Sequence, residues 1–148
     1  MSNKKEAKPK ITRGRSLKEL NETYGETWKD EERPKAIHRL IDKITKANLW
    51  LYILRLLLEK PRYGYEIKNK IKERFGFSPA IVSSYVILYK MKKDKLVEEH
   101  EESNKKMNNA KTGKPGRIYY YITDLGKETM EEAKEYVAAL LHDIFDII

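Results

Sequence analysis

The chain has 148 residues, with 31 lysines and arginines against 23 aspartates and glutamates, and a net charge of +8 at pH 7. It has no cysteine, which excludes disulfides and a thiol nucleophile, and its three histidines (His38, His100, His142) lie far apart, so no metal or other cofactor is expected. The longest apolar stretch, residues 49–58, is interrupted by Arg55 and is shorter than the roughly 20 residues of a membrane crossing. The lysine-rich N-terminus lacks the apolar segment of a secretory signal. We therefore expect a soluble, cytoplasmic protein.

The basic residues are concentrated in the middle of the chain. Residues 33–96 carry sixteen bases and five acids, residues 103–117 carry five bases and no acid, and residues 124–148 carry seven acids and two bases. This segregation is typical of a nucleic-acid-binding surface combined with a separate assembly element. The polar, basic residues 1–20 are predicted to be disordered, either as a solvated tail or as an arm that contacts DNA.

The spacing of apolar residues predicts helices in the first half of the chain. Residues 21–48 form an N-terminal extension, in which residues 37–44 repeat apolar side chains at the spacing of an amphipathic helix. Residues 49–58 are apolar almost all round, as in a central buried helix, and Lys60-Pro61 ends this helix.

Two further helices are predicted before the strands. Residues 64–75 form the first, with Gly76 in a left-handed C-cap. Ser78 suits the N-cap and Pro79 the first position of the second, which should cover residues 79–93. The inner side of this helix is predicted to consist of Ile81, Tyr85, Leu88 and either Met91 or Lys92.

The last third of the chain is predicted to form a hairpin followed by a long helix. Residues 96–102 and 117–123 alternate as two strands, and the basic loop between them, residues 103–116, is long enough to be functional or disordered. Thr123 or Asp124 can cap a helix that runs to the C-terminus.

This order of elements predicts a mainly α fold with a small β hairpin: a winged helix-turn-helix over residues 49–123, followed by a dimerisation helix over residues 124–148. Helix 79–93 is expected in the DNA major groove, because small polar residues let the backbone approach base edges. The basic wing, residues 103–117, is expected on the neighbouring backbone or minor groove. The predicted DNA contacts are Ser78, Ala80, Ser83, Ser84, Ile87 and Lys90 on the helix, Tyr65, Lys68, Lys72 and Tyr85 toward the phosphates, and Lys111, Lys114 and Arg117 in the wing. Half-buried packing is the alternative role of the two tyrosines.

Three segments carry a resemblance to a known family. They are PRYGYEI at residues 61–67, the spacing of Tyr85, Leu88, Met91, Leu96 and Val97, and GKPGRIYYYITDLG at residues 113–126. Through them residues 49–128 resemble the PadR family of transcriptional regulators. The sequence departs from the family at Lys95, where glycine is usual, and at Ser84, where leucine is common.

The resemblance implies a homodimeric repressor whose last helix supplies the dimer interface. The heptad-like spacing of apolar residues in that helix also indicates a partner, with packing against residues 37–44 of the same chain as the alternative. The predicted interface residues are Met130, Ala133, Val137, Leu140, Leu141, Ile144 and Ile148. A two-fold dimer would place its recognition helices roughly 34 Å apart and favour a palindromic operator on double-stranded DNA.

The family also responds to small aromatic effectors, and the resemblance makes Trp50, Tyr52 and Tyr136 candidates for such a site. A second function class is an architectural protein that coats DNA without reading bases. An enzyme is not expected, because the sequence shows no nucleophile–base pair, phosphate-cradling glycine loop or usefully spaced carboxylate pair.

Overall fold

A computed structural model describes residues 14–26, 34–102 and 116–147 of the chain. The elements in chain order are α1 (Leu17–Glu26), α2 (Lys35–Ile44), a 3₁₀ turn (Lys46–Asn48), α3 (Leu49–Glu59), β1 (Arg62–Tyr63), α4 (Gly64–Phe75), α5 (Ile81–Lys93), β2 (Val97–Glu102), β3 (Arg117–Ile122) and α6 (Asp124–Phe145). Among these helices, none combines the length and the apolar composition that a bilayer crossing needs. The predictions for residues 1–13, for Lys111 and Lys114 in the wing, and for Ile148 fall outside the described residues.

The centre of the core is α3. Its buried residues include Ile53, Leu54 and Leu56, and α4, α5, β3 and α6 all pack against this helix. Ile67 and Leu88, from α4 and α5, are fully buried beside it. The apolar helix predicted over residues 49–58 is therefore confirmed as the element around which the domain is assembled.

The turn between α4 and α5 begins as predicted but is longer than predicted. Gly76 has φ +82 and its amide donates to the Lys72 carbonyl, so it forms the expected left-handed C-cap. The proposed start at Ser78 and Pro79 is wrong, because α5 begins only at Ile81. Pro79 is buried instead of opening the helix, and the chain is still extended at Ala80.

The packing of Phe77 explains this extended segment. Its ring lies edge-on to Tyr52, with the ring centres 4.9 Å apart. With Phe77 and Pro79 both directed into the protein, the chain stays extended until Ala80, which has no side-chain acceptor and serves as the N-cap.

The sheet has three strands rather than the two of the predicted hairpin, in the order β1-β3-β2. β2 and β3 are antiparallel, with Val97 opposite Ile122 and Glu102 opposite Arg117. The additional strand is the two-residue β1, whose Arg62 pairs with Tyr120 on β3. Alternation over two residues is too short to predict a strand from sequence, so only the long-range pairing reveals it.

Residues 17–20 are helical, which corrects the prediction of disorder for the end of the tail. α1 begins with a capping box: the Ser16 amide donates to the Glu19 carboxylate over 2.8 Å, and the Glu19 amide donates to the Ser16 hydroxyl over 3.0 Å. Hydrogen bonding to Ser16 also lowers the pKa of Glu19. The Ser-x-x-Glu spacing was the sequence signal that could have predicted α1.

α1 is attached to the turn between α4 and α5. The Asn21 side-chain amide donates to the Phe75 carbonyl over 2.7 Å, and a Cβ at Gly76 would collide with the backbone of Lys18. A glycine is therefore required at position 76 for two reasons: its positive φ and the close approach of α1.

Candidate nucleic-acid interface

Helix α5 has one side in the core and the other at the surface. Ser84, Leu88 and Met91 are buried and, at about 100° per residue, form a single stripe. The opposite side is exposed along the whole helix. It consists of Val82, Val86, Tyr89 and Lys93, with the exposed Ser83 and Lys90 beside it. An exposed helix side of this length is what a major groove accommodates.

One of the predicted base contacts, Ser84, is wrong because it faces the protein. Ser84 is fully buried, and its hydroxyl donates to the Ala80 carbonyl over 3.0 Å. Ile87 is half-buried and packs partly against the core, and its contact with DNA stays a prediction. The small Ser84 side chain fits beneath α5, so the helix is rotated relative to the orientation that the sequence suggested.

The rotation exposes residues that sequence reasoning missed. Val82, Val86 and Tyr89 were not assigned to the DNA surface, and Tyr85, predicted on the inner side, is 45% exposed. The sequence did carry a signal for the burial of Ser84. The family usually has leucine at this position, and a position usually occupied by leucine indicates a buried site. Of the predicted contacts around α5, Ser78, Ala80, Ser83 and Lys90 are exposed and remain predictions.

The candidate phosphate contacts lie on α4 and α5. Tyr65 and Tyr85 are both exposed, as is Lys72, whereas Lys68 is half-buried. Gly64 and Tyr65 open α4, and the Tyr85 ring lies against Gly64. The two tyrosines therefore occupy the surface where α5 meets the start of α4, and their DNA contacts remain predictions.

Aromatic rings pack beside Arg117 where the wing joins β3. Arg117, the first residue of β3, places its guanidinium 4.4 Å from the ring centre of Tyr63 on β1. The Tyr63 ring is edge-on to Tyr119, at 5.7 Å between centres. The charge–ring contact holds Arg117 at the mouth of the wing while leaving it exposed, the position expected for a wing contact.

Acidic side chains surround the stem of the wing. The Tyr121 hydroxyl donates to Glu102, and this hydrogen bond raises the pKa of Tyr121. Lys92 at the end of α5 is paired with Glu99 over 2.7 Å. These carboxylates would repel a duplex, and contact with DNA through the tip of the wing stays a prediction.

Among the described residues, the C-terminal helix has an exposed apolar surface. Val137, Leu140 and Ile144 are exposed, and Ala133 and Leu141 are half-buried. Within its own chain α6 packs mainly on α3, so residues 37–44 are not its principal partner. Met130 is half-buried and packs partly against the core of its own chain, and its place in a dimer interface stays a prediction.

The three candidate effector residues have different environments. Tyr52 is a core residue: its hydroxyl donates to the Ile44 carbonyl over 2.9 Å, and burial raises its pKa. Trp50 also packs against the core, whereas Tyr136 is exposed on α6. A cavity of about 660 Å³ lies between α1, α2 and the α4–α5 turn, and none of the three lines it.

The arrangement defines a winged helix-turn-helix protein: α3, α4 and α5 form the three-helix unit, and β2 and β3 carry the wing. A sequence profile of the transcriptional regulator PadR-like family matches residues 53–132. The chain belongs to this family, whose members are DNA-binding transcriptional regulators.

The chain is also similar to individual proteins, two of which are solved structures of PadR-type regulators. An uncharacterized protein from Lysinibacillus sphaericus is 36% identical over 107 residues, which make up 70% of this chain and 90% of that protein. The crystal structure of a PadR-like transcriptional regulator from Bacillus cereus is 30% identical, with a TM-score of 0.53, and the match covers 66% of this chain and 88% of that chain. A PadR family regulator from Clostridium difficile is 25% identical, with a TM-score of 0.52 and coverage of 65% and 96%.

Proposed function

We propose that the protein is a sequence-specific transcriptional repressor that binds a palindromic operator as a homodimer. α5 enters the major groove, and the wing, residues 103–117, contacts the adjacent backbone or minor groove. The observation that carries this proposal is the division of α5 into a buried stripe and an exposed side. The core fixes the orientation of the exposed side, so base edges meet a rigid surface.

The surrounding charge supports a duplex as the partner. The chain carries +8, and sixteen of its bases fall within residues 33–96, which contain the three-helix unit. Phosphate contacts of Lys and Arg supply most of the sequence-independent affinity for DNA. Repression follows simply from occupancy, because a dimer bound across a promoter excludes other proteins from it.

The apolar surface of α6 supports the homodimer. Val137, Leu140 and Ile144 follow one another at intervals of three and four, and all three are exposed in the single chain. A second copy would bury this surface against the same surface of its own helix, as two-fold symmetry requires. The two α5 helices would then read half-sites roughly 34 Å apart.

One observation favours an architectural protein that coats DNA. α5 contains no Arg, Asn or Gln, so among the residues that make bidentate contacts with guanine or adenine it offers only lysine. Its bases are lysines, which bind phosphate as point charges.

Selection of bound sequences from random DNA, followed by footprinting, separates the two functions. The repressor enriches a two-fold symmetric site and protects one discrete region, whereas an architectural protein enriches nothing and protects DNA uniformly. Ser83→Glu should abolish the footprint, because a carboxylate would face the phosphates, while Ser83→Ala should retain it. A footprint unchanged in Ser83→Glu would contradict the proposed position of α5.

A further inference from the structure

The exposed side of α5 is apolar over its first two turns. Val82 is 69% exposed and Val86 46%, at the second and sixth positions of the helix. Both lie opposite the buried stripe of Ser84, Leu88 and Met91, at about 100° per residue. Two uncovered valines therefore occupy the end of α5 that projects furthest into a groove in helix-turn-helix proteins.

The surroundings of the two valines favour DNA as the occupant. Lys90 and Lys93 follow them on the same exposed part of α5, and the Lys93 ammonium lies 5.5 Å from the ring centre of Tyr89. A cationic border suits a polyanion and repels a basic second copy of this domain. The exposed side of α5 is therefore apolar at Val82 and Val86 and positively charged at Lys90 and Lys93.

The major groove offers one apolar group to such a surface, the C5-methyl group of thymine. Guanine and adenine present polar atoms there, which Arg, Lys, Asn or Gln would bind, and positions 82 and 86 offer none of these residues. An apolar side chain against those polar atoms would leave them without hydrogen bonds. Thymine is thus the base whose methyl group gives Val82 and Val86 a favourable apolar contact.

We propose that Val82 and Val86 determine operator specificity by packing against thymine methyl groups, so that each half-site has A·T pairs at the positions facing the first two turns of α5. The Ser83 hydroxyl, between them in sequence, is free to hydrogen-bond a neighbouring base or phosphate. This inference rests on the proposed function, since it requires that α5 enters the major groove.

Replacing thymine by deoxyuridine tests the inference, because this change removes only the methyl group. In the selected operator, each facing thymine changed to deoxyuridine should weaken binding about fourfold. This is the effect of losing one methyl group that becomes buried on binding. The Val86→Ala protein should bind the thymine operator and the operator with deoxyuridine at the Val86 position with nearly equal affinity. Thymines outside the half-sites serve as the DNA control and should be insensitive.

Ile118→Ala provides the matched protein control. Ile118 is an equally exposed apolar residue, but it lies on β3 and not on α5. This variant should retain the full fourfold sensitivity to deoxyuridine. Circular dichroism of each variant verifies that α5 is still folded.

The possible outcomes separate this inference from the proposed function. If no sequence is enriched from random DNA, sequence-specific binding itself is wrong. If a symmetric site is enriched but has G·C pairs facing α5, or is insensitive to deoxyuridine, the assignment of Val82 and Val86 is overturned while the proposed function stands. Equal deoxyuridine sensitivity in the wild type and in both valine-to-alanine variants would also overturn it.

Discussion

Gly64 opens α4 beneath the ring of Tyr85, and a Cβ atom at position 64 would lie 2.5 Å from Cε1 of that ring. The glycine of the Gly-Tyr-Glu-Ile segment is therefore a packing requirement of α5. It lets the tyrosine ring lie close to the start of α4 while Tyr85 remains 45% exposed. Local sequence gave no indication of this contact, because the two residues lie on different helices.

Gly64→Ala should displace the Tyr85 ring. We expect the free energy of unfolding to fall by about 1 kcal/mol, near the lower end for overpacking, since the colliding atoms are at the end of a side chain that can shift. Urea unfolding measures this loss. Because Tyr85 is a proposed phosphate contact, affinity for all DNA sequences should weaken together.

Gly25→Ala is the control for this prediction. A Cβ at Gly25 meets nothing within 4 Å, so this variant should be as stable as the wild type or slightly more stable. The double variant Gly64→Ala/Tyr85→Ala should be no less stable than Tyr85→Ala alone. An additive loss in the double variant would show that the collision is not with Tyr85.

Lys95→Gly should stabilise the protein. Lys95 has φ +65, a conformation in which a side chain costs about 1 kcal/mol relative to glycine. The surrounding hydrogen bonds explain why the conformation persists: the Leu96 amide donates to Met91 and the Lys95 amide to Lys92, which closes α5 as a Schellman motif. This also accounts for the glycine that the family usually has here.

Thermal or urea unfolding should show a gain of about 1 kcal/mol for Lys95→Gly. Lys90→Gly removes the same side chain from the interior of α5 and should instead cost about 1 kcal/mol. If Lys95→Gly destabilised the protein as Lys90→Gly does, the left-handed conformation at Lys95 would be wrong.

Glu59 should make stability depend on pH in the acid range. A hydrogen bond from Arg74 is the main cause that lowers the pKa of Glu59 below its ordinary 4.5, and Arg62, whose side chain is 6% exposed, adds to it. A carboxyl with a lowered pKa in the folded state contributes stability above pH 4.5 and loses it as the pH falls through the folded pKa.

Glu59→Gln should therefore lower the free energy of unfolding by about 1–2 kcal/mol at pH 7, the range for hydrogen bonds to charged groups after discounting for partial exposure. The difference from the wild type should shrink as the pH falls below 4.5 and through the lowered pKa of Glu59. Glu131→Gln, which breaks an exposed pair with Lys134, should change stability little over the same pH range. A deficit in Glu59→Gln that stayed constant with pH would contradict the linkage.

Leu140→Glu should dissociate the proposed dimer. The charge would lie within the apolar surface of Val137, Leu140 and Ile144, where burial of an unpaired carboxylate is costly. Sedimentation velocity should show a dimer for the wild type and a monomer of 17.5 kDa for the variant. Ala139→Glu places the same charge on another side of α6 and should remain dimeric. If the wild type were monomeric, the proposed binding of two half-sites by the two α5 helices of a dimer would be wrong.

The sequence by itself determined the features that depend on neighbouring residues. The helix over Gly64–Phe75 and its C-cap at Gly76 follow from apolar spacing and from the freedom of glycine at positive φ. The basic middle and acidic C-terminal parts are properties of composition alone. The family motifs between residues 61 and 126 indicated the winged helix before any contact was known.

Only the tertiary structure decided which side of α5 is exposed. The helix is apolar on several sides, so its spacing is compatible with more than one rotation. Packing on α3 and α4 selects the rotation that buries Ser84 and leaves Val82 and Val86 uncovered, because the small serine lets the backbone come close. The third strand at Arg62 likewise arises from pairing with a segment distant in sequence. Such contacts depend on the whole chain being assembled, and no local pattern specifies them.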